Sequence, residues 1–157
     1  MVTITTSCFW ATRTPSYQAD EPDPVAAAVL ATLGGTVIEE MLVAVDRVRA
    51  VARTALLTNN LRPMDNTSPI GAQLMPRFDV IVQSAVEGIR KPDPEFYRRA
   101  CERLAVAPDE CVFLDDLGVN CKPARAMGMT TIKAPFGDAA PAIDALERAV
   151  GFSLRGR

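Results

Sequence analysis

The 157-residue sequence contains no histidine. This absence excludes Ser-His and Cys-His nucleophilic machinery and any metal site built on imidazole ligands. If the protein moves a proton, the group that does so must be an Asp, Glu, Lys, Tyr or Cys side chain.

Closely spaced cysteines are also missing. The four cysteines are Cys8, Cys101, Cys111 and Cys121, and no two of them form a C-x-x-C pair. Their wide spacing fits neither a zinc knuckle nor a compact disulfide framework. We therefore expect reduced thiols and a cytoplasmic protein.

Long apolar runs and a strong net charge are absent as well. No run approaches the roughly 20 apolar residues that cross a bilayer, and the N-terminus lacks the pattern of a signal peptide. A formal net charge of −2 gives no reason to expect a nucleic acid or membrane partner. The sequence does not indicate an oligomeric state.

From about residue 40 onward, short β-prone runs alternate with segments of helical periodicity. The predicted helices are 41–52, 94–104, 120–127 and 139–150, and the predicted strands are 54–57, 78–82, 111–114 and 130–132. Asp93 is the expected N-cap of the second helix, and Pro123 is expected in the first turn of the third. This alternation predicts an α/β fold, a Rossmann-like parallel sheet flanked by helices, with its ligand site at the carboxyl ends of the strands.

The first 40 residues follow a different pattern. Residues 2–6 alternate apolar residues with threonine and can form one strand, 12–24 carry three prolines and read as a loop, and 26–33 predict a short helix. We therefore divide the chain into an atypical N-terminal segment, 1–40, and a core domain, 41–157.

The first polar cluster follows the strand predicted at 54–57. Thr58 carries a hydroxyl, and Asn59 and Asn60 follow it directly. A hydroxyl and nearby backbone N–H groups at a strand end can hold a phosphate oxygen. The same three residues are also a common way to begin a turn, so this signal is weak alone.

A second cluster surrounds Lys91, which stands before Pro92 and just ahead of a predicted helix. The following proline biases Lys91 toward an extended backbone. A lysine held in this way suits a fixed positive charge beside an anion, whereas the alternative is an ordinary solvated surface lysine.

Two adjacent carboxylates form the third cluster. Asp115 and Asp116 emerge from the apolar run 111–114. Carboxylates at such a place repel each other and lose hydration, which a bound cation would offset. Oxygen ligands of this kind suit Mg²⁺. The structural alternative is that one of the two caps a turn, and we favour the metal.

Together these clusters resemble the haloacid dehalogenase-like hydrolase superfamily. The strings LLTNN, RKPDPEFY and FLDDLGVNCKPARAMGM are similar to the phosphatase-type domain of soluble epoxide hydrolases and of acyl-CoA dehydrogenase fusions. The resemblance runs over about 41–132, with the motifs in the order of the family. It implies the HAD-like core fold and Mg²⁺-dependent phosphoryl transfer from a small phosphorylated molecule through an aspartyl-phosphate.

The resemblance also implies a role for each matching residue. Thr58 would bind the transferred phosphoryl group with Asn59 beside it, and Lys91 would neutralise charge on the nucleophile and on the phosphoryl oxygens. Asp116 and Asp115 would hold Mg²⁺. Asn120 occupies the position of a further acidic or amide residue of the last motif.

The aspartate nucleophile of the family is not found. It should follow the first strand, but Asp20 and Asp23 lie in a proline-rich segment and Asp46 lies in a helical pattern. The helical cap domain is mostly missing too. The chain can be truncated, can be a degenerate member, or can use residues 2–6 as a replacement first strand followed by Ser7 or Cys8.

Two classes of function follow. The first is a phosphatase-class hydrolase, and the alternative is a non-catalytic phosphate- or Mg²⁺-binding or regulatory module on the same fold. Nucleotide binding of the Rossmann type ranks low because no G-x-G-x-x-G follows a predicted strand. In either class we expect residues 2–6 to occupy the centre of the sheet, since an unfilled centre would expose two strand edges.

Overall fold

A five-stranded parallel sheet organises the structure, a computed structural model that describes residues 3–6, 38–135 and 138–155. The strands are β1 (Thr3–Thr6), β2 (Thr54–Thr58), β3 (Val80–Gln83), β4 (Cys111–Asp115) and β5 (Thr130–Lys133). Their order in the sheet is β3-β2-β1-β4-β5, and each neighbouring pair is parallel. The predicted α/β class is confirmed.

The N-terminal strand fills the centre of this sheet. Thr6 of β1 stands opposite Leu56 of β2 on one side and opposite Leu114 of β4 on the other. The expected central position is therefore confirmed for Thr3–Thr6, whereas Ser7 and Cys8 lie outside the described residues. The carboxyl ends of β2 and β4 consequently open on the same edge of the sheet, on either side of the point where β1 ends.

Helices connect the strands and cover both faces of the sheet. They are α1 (Glu39–Arg49), α2 (Pro69–Leu74), α3 (Ser84–Glu87), α4 (Pro94–Leu104), α5 (Gly118–Ala126) and α6 (Ala140–Val150). Single 3-10 turns at Met75–Arg77 and Pro108–Glu110 precede β3 and β4. α4 has the predicted bounds, and Asp93 caps it by accepting a hydrogen bond from the Glu95 backbone N–H.

Alternate residues of the central strands face two separate cores. Val112 and Leu114 of β4 lie in the core that includes residues of α1 and α6. Phe113, between them, lies in the core beneath α4 and α5, where its ring meets that of Tyr97 edge to face. Each such fully buried side chain contributes about 1.5–3 kcal/mol of transfer free energy. β4 is apolar throughout because both of its faces are covered.

Three local predictions need correction. The helix predicted over 41–52 runs instead from Glu39 to Arg49. α5 begins at Gly118 rather than 120, because the Leu117 carbonyl accepts hydrogen bonds from the Asn120 and Cys121 N–H groups. Pro123 therefore lies in the second turn of the helix, not in the first. The strand predicted at 78–82 starts only at Val80, since the 3-10 turn ends just before Phe78.

Some predictions fall outside the described part of the chain, among them the loop 12–24 and the helix 26–33. The domain boundary near residue 40 stays a prediction. Of the helices in the described ranges, none is long and apolar enough to cross a membrane.

Candidate functional site

Most of the buried polar side chains gather at the carboxyl edge of the sheet, whereas Thr54 begins β2 at the opposite edge. Among the described residues, five polar or charged residues are buried, namely Thr54, Thr58, Lys91, Asp115 and Asn120. All but Thr54 were predicted as site residues. Because burying a polar group is costly without partners, the hydrogen bonds of Lys91, Asp115 and Asn120 define the site.

Lys91 is a buried cation held between two strands. Its Nζ donates to the Leu57 carbonyl oxygen at 2.9 Å and to Asp115 Oδ2 at 3.0 Å. Only 6% of Lys91 is exposed, which excludes the solvated surface lysine. The ammonium group is thereby fixed between the ends of β2 and β4.

Asp115 is fully buried and bonded through both carboxylate oxygens. Oδ2 accepts from Lys91, while Oδ1 accepts from the Leu117 backbone N–H at 2.8 Å and from Asn120 Nδ2 at 3.0 Å. The backbone carbonyl oxygen of Asn120 accepts a hydrogen bond from the Tyr97 hydroxyl at 2.8 Å, which holds Asn120 in place. The Asp115 carboxylate therefore links the lysine to the first turn of α5.

Asp116 differs from its neighbour in being only half-buried. Burial, and then the negative charge of Asp115, raise the pKa of Asp116 above its ordinary value. A nearby cation stabilises the charged form of such a half-buried carboxylate more than it stabilises an exposed one. Within the described residues, no group of three or more His, Cys, Asp or Glu side chains is placed to hold a metal.

Asn59 bonds with its side chain to the backbone of Lys91. Asn59 Oδ1 accepts from the Lys91 N–H and Asn59 Nδ2 donates to the Lys91 carbonyl, both at 2.9 Å. The structure therefore brings Asn59 to the site as a support of Lys91. Thr58, the last residue of β2, is 7% exposed and precedes this bridge directly.

Sequence reasoning missed two further groups of the site. Tyr97 ends the string RKPDPEFY and lies in a predicted helix, but it was given no role, although its hydroxyl donates to the Asn120 backbone carbonyl. Gln83 and Ser84 end β3 and begin α3, and they bond to Asn60. The rule that located Thr58, polar residues at the carboxyl end of a strand, also applies to Gln83 and Ser84.

The sequence matches a known family over most of the chain. The family model of haloacid dehalogenase-like hydrolases matches residues 7–128. The chain belongs to this family. The predicted membership and the HAD-like fold are thus confirmed.

Two relatives of this HAD-like chain share part of its sequence. Acyl-CoA dehydrogenase family member 10 of Mus musculus is 40% identical over 117 residues, which cover 73% of this chain and 10% of that protein. Bifunctional epoxide hydrolase 2 of Sus scrofa is 40% identical over 107 residues, 64% of this chain and 19% of that protein. The chain thus spans only a small part of either relative.

Among solved structures, a predicted HAD-like family hydrolase from Porphyromonas gingivalis superposes with a TM-score of 0.67 and 26% identity. The superposition covers 78% of this chain and 63% of that one.

Proposed function

We propose that this HAD-like hydrolase binds Mg²⁺ and the phosphoryl group of a small phosphorylated molecule at the carboxyl edge of its sheet, and that its chemistry is of the phosphatase class. The observation that carries this proposal is the buried ion pair of Lys91 and Asp115, next to Thr58 and Asp116. A buried ion pair does not by itself indicate that it stabilises the fold. This pair lies at the carboxyl ends of the strands, where parallel α/β sheets bind their ligands, and that position favours a binding role.

The residues present fit Mg²⁺ by their chemistry. Asp116 offers a half-buried carboxylate that burial and Asp115 destabilise in its charged form, and hard oxygen ligands are those that Mg²⁺ takes. Because both oxygens of Asp115 already accept hydrogen bonds, we propose Asp116 as the main ligand, with Asp115 and Asn120 supporting it. When bound, the ion would neutralise charge on the phosphoryl oxygens.

Lys91 and Thr58 would bind the phosphoryl group itself. The Lys91 ammonium is fixed by the Leu57 carbonyl and Asp115, so it presents its charge without reorganisation. The Thr58 hydroxyl would donate to a phosphoryl oxygen. Asn59 would hold the Lys91 backbone in register with Thr58.

The group that would attack phosphorus decides between two functions. The residues that follow β1 in the sequence are Ser7 and Cys8, where the family mechanism requires an aspartate. With an attacking group the chain is a phosphatase. Without one, the same site is a non-catalytic phosphate- and Mg²⁺-binding module, which is our second candidate.

Release of phosphate from a generic aryl phosphate, with and without Mg²⁺, tests the proposal. Turnover supports the phosphatase if it requires Mg²⁺ and if Asp116→Ala abolishes it. No turnover together with measurable Mg²⁺ binding supports the module. Asp109→Ala is the matched control, because Asp109 is exposed and precedes β4 at the opposite end of that strand. Neither turnover nor Mg²⁺ binding would contradict both candidates.

A cytoplasmic location is also a proposal. Cys101, Cys111 and Cys121 are free and buried, as expected of thiols in a reducing compartment. Imaging of the tagged full-length protein tests this location.

A further inference from the structure

We propose that Gln83 and Ser84 are positioning residues that hold the phosphate-binding end of β2 in place. The proposal rests on the proposed function, because it assigns these residues a role toward the phosphate that Thr58 would bind. Gln83 is the last residue of β3 and Ser84 the first of α3. β3 is the neighbour of β2 at the edge of the sheet.

Gln83 bonds to the loop after β2 at two places. Its Oε1 accepts from Asn60 Nδ2 at 2.7 Å and from the Met64 backbone N–H at 2.6 Å. Its Nε2 donates to the Met64 carbonyl oxygen at 3.1 Å. The side-chain amide of Gln83 therefore pairs with the Met64 backbone much as a neighbouring strand would.

Ser84 holds the backbone of Asn60 from the same side. Its Oγ accepts from the Asn60 N–H and donates to the Asn60 carbonyl, both at 2.8 Å. The Ala85 N–H also donates to Asn60 Oδ1 at 3.3 Å. The backbone and the side chain of Asn60 are thus both bonded to the junction of β3 and α3.

Apart from the bonds of Asn59 to the Lys91 backbone, the loop has little else to hold it. Residues 59–64 form neither helix nor strand, and Leu61, Arg62 and Pro63 are exposed. Only Met64 packs, partly buried, against a hydrophobic core. Hydrogen bonds from Gln83 and Ser84 are therefore the main contacts that place residues 60–64, and an exposed loop without such contacts would sample many conformations.

Two adjacent asparagines transmit this restraint to the site. Asn59 is bonded to the backbone of Lys91, and Asn60 to Gln83 and Ser84. The chain just after Thr58 is consequently fixed from both sides. Groups that are fixed before a ligand arrives bind it more tightly, because little ordering remains to be done.

Calorimetric titration with inorganic phosphate in the presence of Mg²⁺ tests the proposal. Gln83→Ala and Ser84→Ala should each weaken phosphate binding roughly tenfold, as expected when a preorganised contact is loosened. Titration with Mg²⁺ alone should give wild-type affinity, because Asp116 follows β4, which β1 separates from β2 in the strand order. Ser84→Thr keeps the hydroxyl and should restore phosphate binding. Gln73→Ala on α2 is the matched control and should bind phosphate as the wild type does.

Other outcomes would overturn the positioning role, and one of them would overturn the proposed function as well. Wild-type phosphate affinity in folded Gln83→Ala and Ser84→Ala would overturn the positioning role alone. An equal loss of Mg²⁺ and phosphate affinity would also overturn it, because it would indicate general damage. If Gln83→Ala does not fold, comparison of Ser84→Ala with Ser84→Thr decides the question. A wild-type protein that binds no phosphate would overturn the proposed function and this role with it.

Discussion

Lys91→Met should destabilise the protein strongly, although lysine is usually a surface residue. The substitution keeps the length of the side chain and removes its charge. It leaves the Leu57 carbonyl without the Lys91 donor and Asp115 Oδ2 without the cation that stands 3.0 Å away. Asp115 is fully buried, so water cannot replace the lost partner without opening the site.

The structure sets the size of this effect. Removing one partner of a buried ion pair typically costs about 3–5 kcal/mol. Because Asp115 keeps its hydrogen bonds from Leu117 and Asn120, we expect the lower end, about 3 kcal/mol. For a chain of this length, that loss lowers the melting temperature by roughly 6–12 °C.

Thermal and denaturant unfolding of a double-mutant cycle measure this cost. The double variant Lys91→Met/Asp115→Asn removes both charges and should recover at least about 1 kcal/mol relative to the sum of the single variants. Lys122→Met, an exposed lysine of α5, should leave the melting temperature unchanged. A Lys91→Met protein as stable as the Lys122→Met control would refute the buried ion pair.

Three further predictions concern stability. Because burial and Asp115 raise the pKa of Asp116, its protonated form favours the folded state, so wild-type stability should fall as pH rises through the raised pKa. Without metal, the free energy of unfolding of Asp116→Asn should therefore exceed that of the wild type at neutral pH. In urea unfolding, this difference should vanish when the pH falls below 3.8, the ordinary pKa of an aspartate. Tyr97→Phe, which removes the hydroxyl that donates to Asn120, should cost about 1–2 kcal/mol in denaturant unfolding, and no loss would contradict that bond. Ser68→Ala, which removes the cap that accepts from Gly71 N–H on α2, should cost about 1 kcal/mol in the same assay, and a neutral result would argue against the cap.

The long elements could be predicted because several sequence signals agree on them. α4 has periodic apolar residues, an N-cap at Asp93 and a proline at its first position, and its predicted bounds are those observed. α2 and α3 were not predicted, since helices of six and four residues carry too little periodicity to recognise. Pro123 was placed one turn too early because hydrogen bonds to the Leu117 carbonyl start α5 before it.

The site residues could be located from the sequence, but the hydrogen bonds between them could not be predicted from it. Thr58 and Asp115 were found because they follow predicted strands, and Lys91 because it stands before Pro92 and just ahead of a predicted helix. The burial of Lys91 could not be predicted from the sequence, since it depends on a partner 24 residues away that only the sheet brings close. The bridge from Asn59 to the Lys91 backbone likewise joins two loops across 32 residues.

Dependence of Mg²⁺ affinity on phosphate tests the central claim most directly. If one site holds both ligands, saturating inorganic phosphate should tighten Mg²⁺ binding in calorimetry by at least roughly fivefold, and Mg²⁺ should tighten phosphate binding by the same factor. Asp116→Ala should abolish this coupling, and Asp109→Ala should keep it. Mg²⁺ and phosphate affinities that are independent of each other in the wild-type protein would contradict a shared site at the carboxyl edge of the sheet.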